Sequence, residues 1–491
     1  MLVGNPHHRL IGVAAIVVVV LLGPDVRGGA AQDVRARDLG VPFEGIPGPF
    51  NAITDVPGVQ VGHFTLIRGE PGPLVKGVGP VRTGITAILP RGHRFDPVFA
   101  ATYALNGNGE MTGIHWIEES GYLETPILVT NTFSVGVVRD AALAWMDSTG
   151  HNPDPEGGLW FAQPVVAETY DVLNDILGQH VTREHAFRAL DSAAGGPVAE
   201  GNVGGGTGMI AHAFKGGIGT SSRLTSGGHT LGVLVQANYG DRDRFAVAGV
   251  PVGKEIVDLR PNYDVLSRGS VIVVVATDAP LLPQQLQRIA ERVPLAVGRM
   301  GGLGENSSGD IFIAFSTGNP GAWAGGEDAT LHTLRNDRMN PLFEATVEAT
   351  EEAILNAMVA AETMIGRDSL VVHALPHDRL QEALRKYGRW VDPGSLPRAA
   401  AAVPDDIDSL LGTYRGDDPI SDARLFEQNS MLFIEARGVQ RIVPLTDGRL
   451  VLLGTGGVEL VRDPGVAGRI RLRLGDRIIA ELDRGEDEMS E

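Results

Sequence analysis

Short apolar runs broken by glycine, proline, asparagine and serine alternate with longer amphipathic stretches over residues 35–390, a pattern that predicts a mixed α/β body. The runs at 86–89, 126–129, 230–236, 271–277 and 310–315 are apolar or β-branched and predict strands. The clearest helix is predicted at 341–365, where Phe343, Val347, Ile354, Met358 and Ala361 share one stripe and Glu344, Glu348, Glu351 and Glu352 fall largely outside it. Two further helices are predicted at 282–293, after Pro280, and at 378–387. Beyond Tyr387 the pattern changes. Pro393, Pro397, the alanines at 399–402 and Pro404 mark a linker over 391–404. Segments at 431–435, 441–445, 449–453, 459–462, 470–474 and 477–482 then alternate with glycine and aspartate turns, which predicts a small antiparallel all-β domain over 405–486. The body and this domain are expected to close separate cores.

The N-terminus has the three-part layout of a secretory signal: Arg9, a thirteen-residue apolar run over 10–22, then small residues Gly28, Gly29, Ala30 and Ala31. The run is short for a bilayer span of about 20 residues. Residues 1–30 are therefore expected to be removed, leaving a secreted or periplasmic protein with no membrane attachment. The formal charge of the 491-residue chain is −19, and loss of residues 1–30, with two arginines against one aspartate, makes it −20. Such a balance argues against nucleic acid or anionic lipid as a partner. The chain has no cysteine, which excludes disulfides, thiolate metal sites and a cysteine nucleophile.

The chemistry centres on Gly269-Ser270, a potential nucleophile directly behind a glycine at the mouth of the 271–277 strand. If Ser270 Oγ adds to the Gly269 carbonyl, the amide shifts to an ester and water opens it. The new chain then begins at Ser270 with a free α-amine, whose reference pKa of about 7.7–8.0 makes it a base near neutrality. Glycine suits the attack because it lacks a Cβ and enters strained conformations. Negative charge developing on the attacked carbonyl oxygen needs a waiting donor. Asn238, at the end of the 230–236 strand, is the candidate, with its carboxamide expected to point from a sheet edge into a cleft. Ser308 and Asp310 lie two apart on an extended segment and so share a face. Glu168 and Tyr170 form another such pair, and a carboxylate there suits recognition of a substrate ammonium. The run Gly204-Gly205-Gly206-Thr207-Gly208 has no Gly-Lys-Ser/Thr ending, so it reads as close chain packing beside the nucleophile and not as a phosphate loop. The segment 106–111 is a further candidate for the pocket lining. His63, His115, His212 and His229 show no metal-ligand spacing, so no metal and no cofactor is expected.

Four motifs surround Ser270: NAITDVPGVQVGH at 51–63, GGGTGM at 204–209, VQANYG at 235–240 and Ser308-Gly309-Asp310. Together they resemble the family of the L-aminopeptidase/D-amino-acid esterase-amidase and the β-peptidyl aminopeptidases, over about residues 35–390. The resemblance implies a self-processing peptidase domain with a four-layer α-β-β-α sandwich similar to N-terminal-nucleophile hydrolases. It also implies a cut at 269/270 into two subunits and a homo-oligomer of the processed heterodimers. Carried over residue by residue, it makes Ser270 the nucleophile, Asn238 the oxyanion donor, Ser308 and Asp310 the pair that meets the Ser270 head group, Glu168 the ammonium-binding carboxylate and Tyr170 a neighbour of the oxyanion. The matching carboxylate is glutamate in some relatives, and Asp310 shortens its reach by one methylene. The opening of the C-terminal domain at 410–416 is similar to small β-barrel modules appended to secreted serine hydrolases.

The function expected is release of amino-terminal residues from short peptides, amides or esters through an acyl-enzyme on Ser270. Two alternatives stand beside it. One is an acyltransferase of similar fold, against which Ser270 argues because the related ornithine acetyltransferases cut before threonine. The other is a non-catalytic ligand-binding protein, against which the retained Gly269, Ser270, Asn238, Ser308 and Asp310 weigh.

Overall fold

The computed structural model describes residues 34–152, 160–262, 269–324, 328–400, 403–404, 406–417, 419–428 and 431–485. The expected signal at 1–30 lies outside them. A six-stranded sheet runs in the order Tyr122–Leu123, Val98–Gly107, Gly309–Ser316, Gly269–Thr277, Thr230–Tyr239, Gly217–Leu224. All its neighbours are antiparallel except Gly309–Ser316 with Gly269–Thr277, which run parallel. A second sheet has the order Gln60–Arg68, Val81–His93, Ile127–Asn131, Val165–Thr169.

The strand behind Ser270 is apolar from Val271 to Ala276 because both of its faces are covered. Val271, Val273 and Val275 pack with Leu286, Ile289, Ala349 and Ala353 of helices Pro283–Ala290 and Asn340–Val359. Ile272, Val274 and Ala276 face Ile88, Ile127, Val129 and Val165 of the second sheet. The far side of that sheet, with Ile85, Ala87, Leu128 and Val166, packs on Val138, Trp145 and Ala189 of helices Val135–Ser148 and Arg183–Asp191.

Three expectations need correction. The long helix spans Asn340–Val359 and stops short of 365, where Met364–Ile365 is instead a short strand. The 282–293 helix ends early, at Ala290, and a separate helix, Val293–Arg299, follows it. The third correction concerns charge. Glu351 and Glu352 are buried, and Glu352 is 0% exposed. Its carboxylate takes Arg37 Nε at 2.9 Å, Arg223 Nη2 at 2.8 Å and Asn51 Nδ2 at 2.6 Å. A buried charge is tolerated only when paired in this way. Strand Gly217–Leu224 went unrecognised in the sequence for a related reason. Thr220, Ser221, Ser222 and Arg223 make it look like a loop, yet each is buried and satisfied from afar: Thr220 Oγ1 by Val233 O, Ser221 by Ala349 O, Ser222 by Asp55.

The C-terminal domain is a closed eight-stranded barrel, from Gly412–Gly416 to Arg477–Arg484, two strands more than the alternation predicted. The added strands are Gly412–Gly416 and Asp422–Gln428. Tyr414, Leu425, Ile434, Leu460, Leu472 and Leu482 fill its interior. The body and barrel are not wholly separate, because Ile46 and Leu224 share an apolar cluster with Ala399, Val443, Leu445 and Leu453. The linker is itself pinned: Ala400 N–H donates to Pro444 O at 2.8 Å, and Thr446 N–H to Arg398 O at 3.0 Å.

Burial alone would raise the Glu352 carboxyl, but Arg37 and Arg223 outweigh it and hold it at about 2, below its ordinary 4.5. A depressed carboxylate contributes stability that is present above the unfolded value and lost as pH falls through the folded one. Glu352→Gln should therefore cost about 3–5 kcal/mol at pH 7. The gap to wild type should close as pH falls from about 4.5 to about 2. Denaturant unfolding at several pH values checks both statements, and a gap independent of pH would contradict them.

Candidate functional site

The site is built on the register of three adjacent strands. Asn238 stands directly opposite Ser270, Tyr239 opposite Gly269, and Val271 beside Asp310. Asn238 is thus not past a strand end at an edge, as expected, because the strand runs on to Tyr239 in the interior of the sheet. Gly269 has φ +76°, and a Cβ there would lie 1.5 Å from Asn238 O. Only glycine can occupy the position before Ser270.

Ser270 is buried, and its Oγ accepts the Gly309 N–H at 3.0 Å. Side chains alternate across a sheet, so the register puts Ser270 and Gly309 on one face and Ser308 and Asp310 on the other. The structure therefore brings the Ser308 and Asp310 pair to the backbone end of Ser270, while the group touching Oγ is the N–H between them. Ser308 Oγ donates to Asp310 Oδ1 at 2.5 Å. Burial pushes the Asp310 carboxyl up to about 6, against the Ser308 hydroxyl and the Val271 N–H, and Glu305 adds to the rise.

The Asn238 carboxamide is clamped at both ends. Its Oδ1 accepts the Ile210 N–H at 2.8 Å, and its Nδ2 donates to Tyr170 O at 3.2 Å. An amide nitrogen carries two hydrogens, so one remains for a reacting carbonyl. Tyr170 follows the strand Val165–Thr169, and it is its carbonyl that meets Asn238. Glu168, on that strand, is 4% exposed. Its Oε1 accepts the Glu110 N–H at 3.1 Å and its Oε2 the Thr132 hydroxyl. Burial raises its pKa despite both donors.

Two glycines join Glu168 to the nucleophile. A Cβ on Gly109 would lie 3.0 Å from Gly309 Cα and 3.3 Å from Glu168 Oε1. The 106–111 segment therefore does sit against the site. The glycine run at 204–206 packs between the sheets, where a Cβ on Gly205 would lie 2.1 Å from Gln236 Oε1 and 2.7 Å from Val129 O. Sequence reasoning missed the Gly309 and Ile210 N–H groups and Thr132. The first two are backbone atoms with no side-chain signal, and Thr132 is marked only by adjacency to Asn131, which caps the turn at Phe133.

The profile of Peptidase family S58 matches residues 51–372. The chain is 50% identical over 390 residues to the beta-peptidyl aminopeptidase BapA of Sphingosinicella microcystinivorans, covering 75% of this chain and 97% of that one. Among solved structures it is similar to a Burkholderia sp. beta-aminopeptidase, at 48% identity and TM-score 0.66, over 72% of this chain and 99% of that one. It is also similar to the L-aminopeptidase D-Ala-esterase/amidase from Ochrobactrum anthropi, a serine aminopeptidase with a variant of the Ntn hydrolase fold. That likeness has 47% identity and TM-score 0.69, over 73% and 99% of the two chains. With the profile spanning well over half of the sequence and a half-identical relative matched almost end to end, this chain belongs to peptidase family S58 and is a hydrolase with an N-terminal nucleophile.

Proposed function

We propose that the chain cuts itself between Gly269 and Ser270 and then uses Ser270 to release amino-terminal residues from short peptides, amides or esters through an acyl-enzyme. The observation that carries this reading is the ladder pair Asn238 and Ser270, with left-handed Gly269 immediately upstream. In self-cleavage Ser270 Oγ adds to the Gly269 carbonyl, the amide becomes an ester with release of the Ser270 amine, and water hydrolyses that ester to leave a Gly269 carboxylate. In turnover the freed α-amine takes the Oγ proton, and Oγ attacks the substrate carbonyl. The free Nδ2 hydrogen of Asn238 meets the oxyanion beside Tyr170. The proton then passes to the leaving amine, and water, activated by the same α-amine, releases the acyl group. The Gly309 N–H favours the alkoxide on Oγ, and the Ser308 and Asp310 pair orients the amine from the other face. Glu168 pairs with the substrate ammonium.

The packing supports a four-layer α-β-β-α sandwich as the layout of the peptidase domain at 35–390, with 405–486 as an accessory domain. Export follows from the Arg9 and apolar N-terminal pattern. Assembly into a homo-oligomer of cut chains belongs to the same proposal. Exposed Ile67, Val75 and Val78, at the hairpin joining Gln60–Arg68 to Val81–His93, supply an apolar surface for it.

Three outcomes test the reading. Ser270→Ala should stay a single chain and be inactive on a panel of L-, D- and β-amino-acid amides and esters, where the wild type turns over at least one class. An active or cut Ser270→Ala protein would sink the proposal. Asn238→Ala should lower turnover by roughly 10²- to 10³-fold and slow the cut, since both steps pass through an oxyanion. Unchanged kinetics in folded protein would return Asn238 to a purely structural role. Glu168→Gln should raise KM for substrates with a free amino terminus far more than for N-acylated analogues, and equal losses for both would contradict the assignment.

A further inference from the structure

Basic positions in this chain are almost all arginine, and lysine occurs only at 76, 215, 254 and 386. Three of the four are exposed, whereas Lys215 is 0% exposed. Its Nζ donates to Gly216 O at 2.8 Å and Gly206 O at 3.2 Å. Among the described residues no carboxylate pairs with it, although a buried ammonium is costly unless its charge is answered.

The two carbonyls that hold it lie on either side of the loop that fixes Asn238. Gly206 O also accepts the Met209 N–H at 3.3 Å, and Gly216 N–H donates to Met209 O at 2.9 Å. Met209 leads into the hairpin Ile210–Ala211 and Phe214–Lys215, in which Ile210 stands directly opposite Lys215. The Ile210 N–H is the one that holds Asn238 Oδ1. Both glycines are tightly packed, since a Cβ on Gly206 would lie 2.3 Å from Ile218 N and one on Gly216 would lie 2.2 Å from Ala237 O. A compact ammonium fits between such carbonyls where a planar guanidinium does not.

We propose that Lys215 is a positioning residue for the oxyanion donor: its ammonium staples the 204–206 turn to the hairpin so that Ile210 keeps the Asn238 carboxamide aimed at the reacting carbonyl. This rests on the reading of Asn238 as that donor. Burial lowers the Lys215 pKa to about 7, so the staple loses its charge as pH rises through neutrality. The other ionisable groups on the surrounding elements do not supply a counter-charge. His212, in the hairpin turn, is held neutral by burial at about 4. Arg242 covers the Phe214 ring and is engaged by carbonyls including His212 O and Ala213 O. Asp171, beside Gly208, is raised by burial to about 8. His373 offers Lys215 only its backbone carbonyl.

The test is a double-mutant cycle on processed enzyme. Lys215→Met should lower kcat by roughly 10- to 100-fold, less than removing the donor itself, with KM within about twofold of wild type. Lys215→Met combined with Asn238→Ala should be no slower than Asn238→Ala alone. Fully additive losses would overturn the proposal while leaving Asn238 in its role, whereas an unimpaired Asn238→Ala enzyme would overturn both. A wild-type measurement keeps the question open to refutation should Lys215→Met fail to fold. With four lysines in the chain, ε-13C-lysine NMR resolves each one. The Lys215 signal should titrate in the neutral range, well below the ordinary lysine value of about 10.4. A Lys215 signal at the ordinary lysine value would show an ammonium bathed in water, not buried between the two carbonyls, and would overturn the proposal.

Discussion

The pairing of Asn238 with Ser270 in the interior of the six-stranded sheet is the contact on which the rest of this molecule depends. It sets Ser270 and Asn238 on one face of the sheet, where the Ile210 N–H and the Tyr170 carbonyl then fix the Asn238 carboxamide. The same register forces glycine at 269, because the Asn238 carbonyl occupies the space a side chain would need. It also bears on the proposed cut, because a chain broken there would stay in one piece. Strand Gly269–Thr277 is held by Thr230–Tyr239 from the N-terminal side of the cut and by Gly309–Ser316 from the C-terminal side. The ion pairs of Arg37 and Arg223 with Glu352 cross the same division. A break at 269/270 therefore releases an amine without releasing a subunit.

Electrostatics follow from that burial. Glu168 and Asp310 both lie beneath the surface, and both have raised pKa values chiefly because burial penalises their charged forms. In the proposed reaction each would meet a cation that the chemistry itself delivers, the substrate ammonium in one case and the new α-ammonium of Ser270 in the other. Glu352 is the contrast. Its cations are permanent, and its role is to hold the fold together.

The legible parts of the sequence were those where local pattern and tertiary environment agree. Residues 271–277 and 310–315 are β-branched or apolar runs bounded by glycine, and they became strands almost unchanged. Strand 230–236 was legible too, but its last residues, Asn238 and Tyr239, look like a turn and are in fact ladder positions fixed by a partner strand. Burial of Thr220, Ser221, Ser222, Arg223 and Glu352 was illegible because their partners lie far away along the chain. Barrel closure was illegible for the same reason, since Gly412–Gly416 pairs with Arg477–Arg484 across the whole domain. At the site, the side chains could be named from motifs, whereas the Gly309 and Ile210 N–H groups emerge only from three-dimensional register.

In the proposed function one serine is both the point of cutting and the nucleophile. Intact-mass spectrometry of wild-type protein quenched during turnover of a slow ester substrate tests it most directly. Two fragments are expected, the C-terminal one beginning at Ser270 and carrying the acyl adduct on that residue. A single uncut chain that turns over substrate, or an adduct on any other residue, would contradict it.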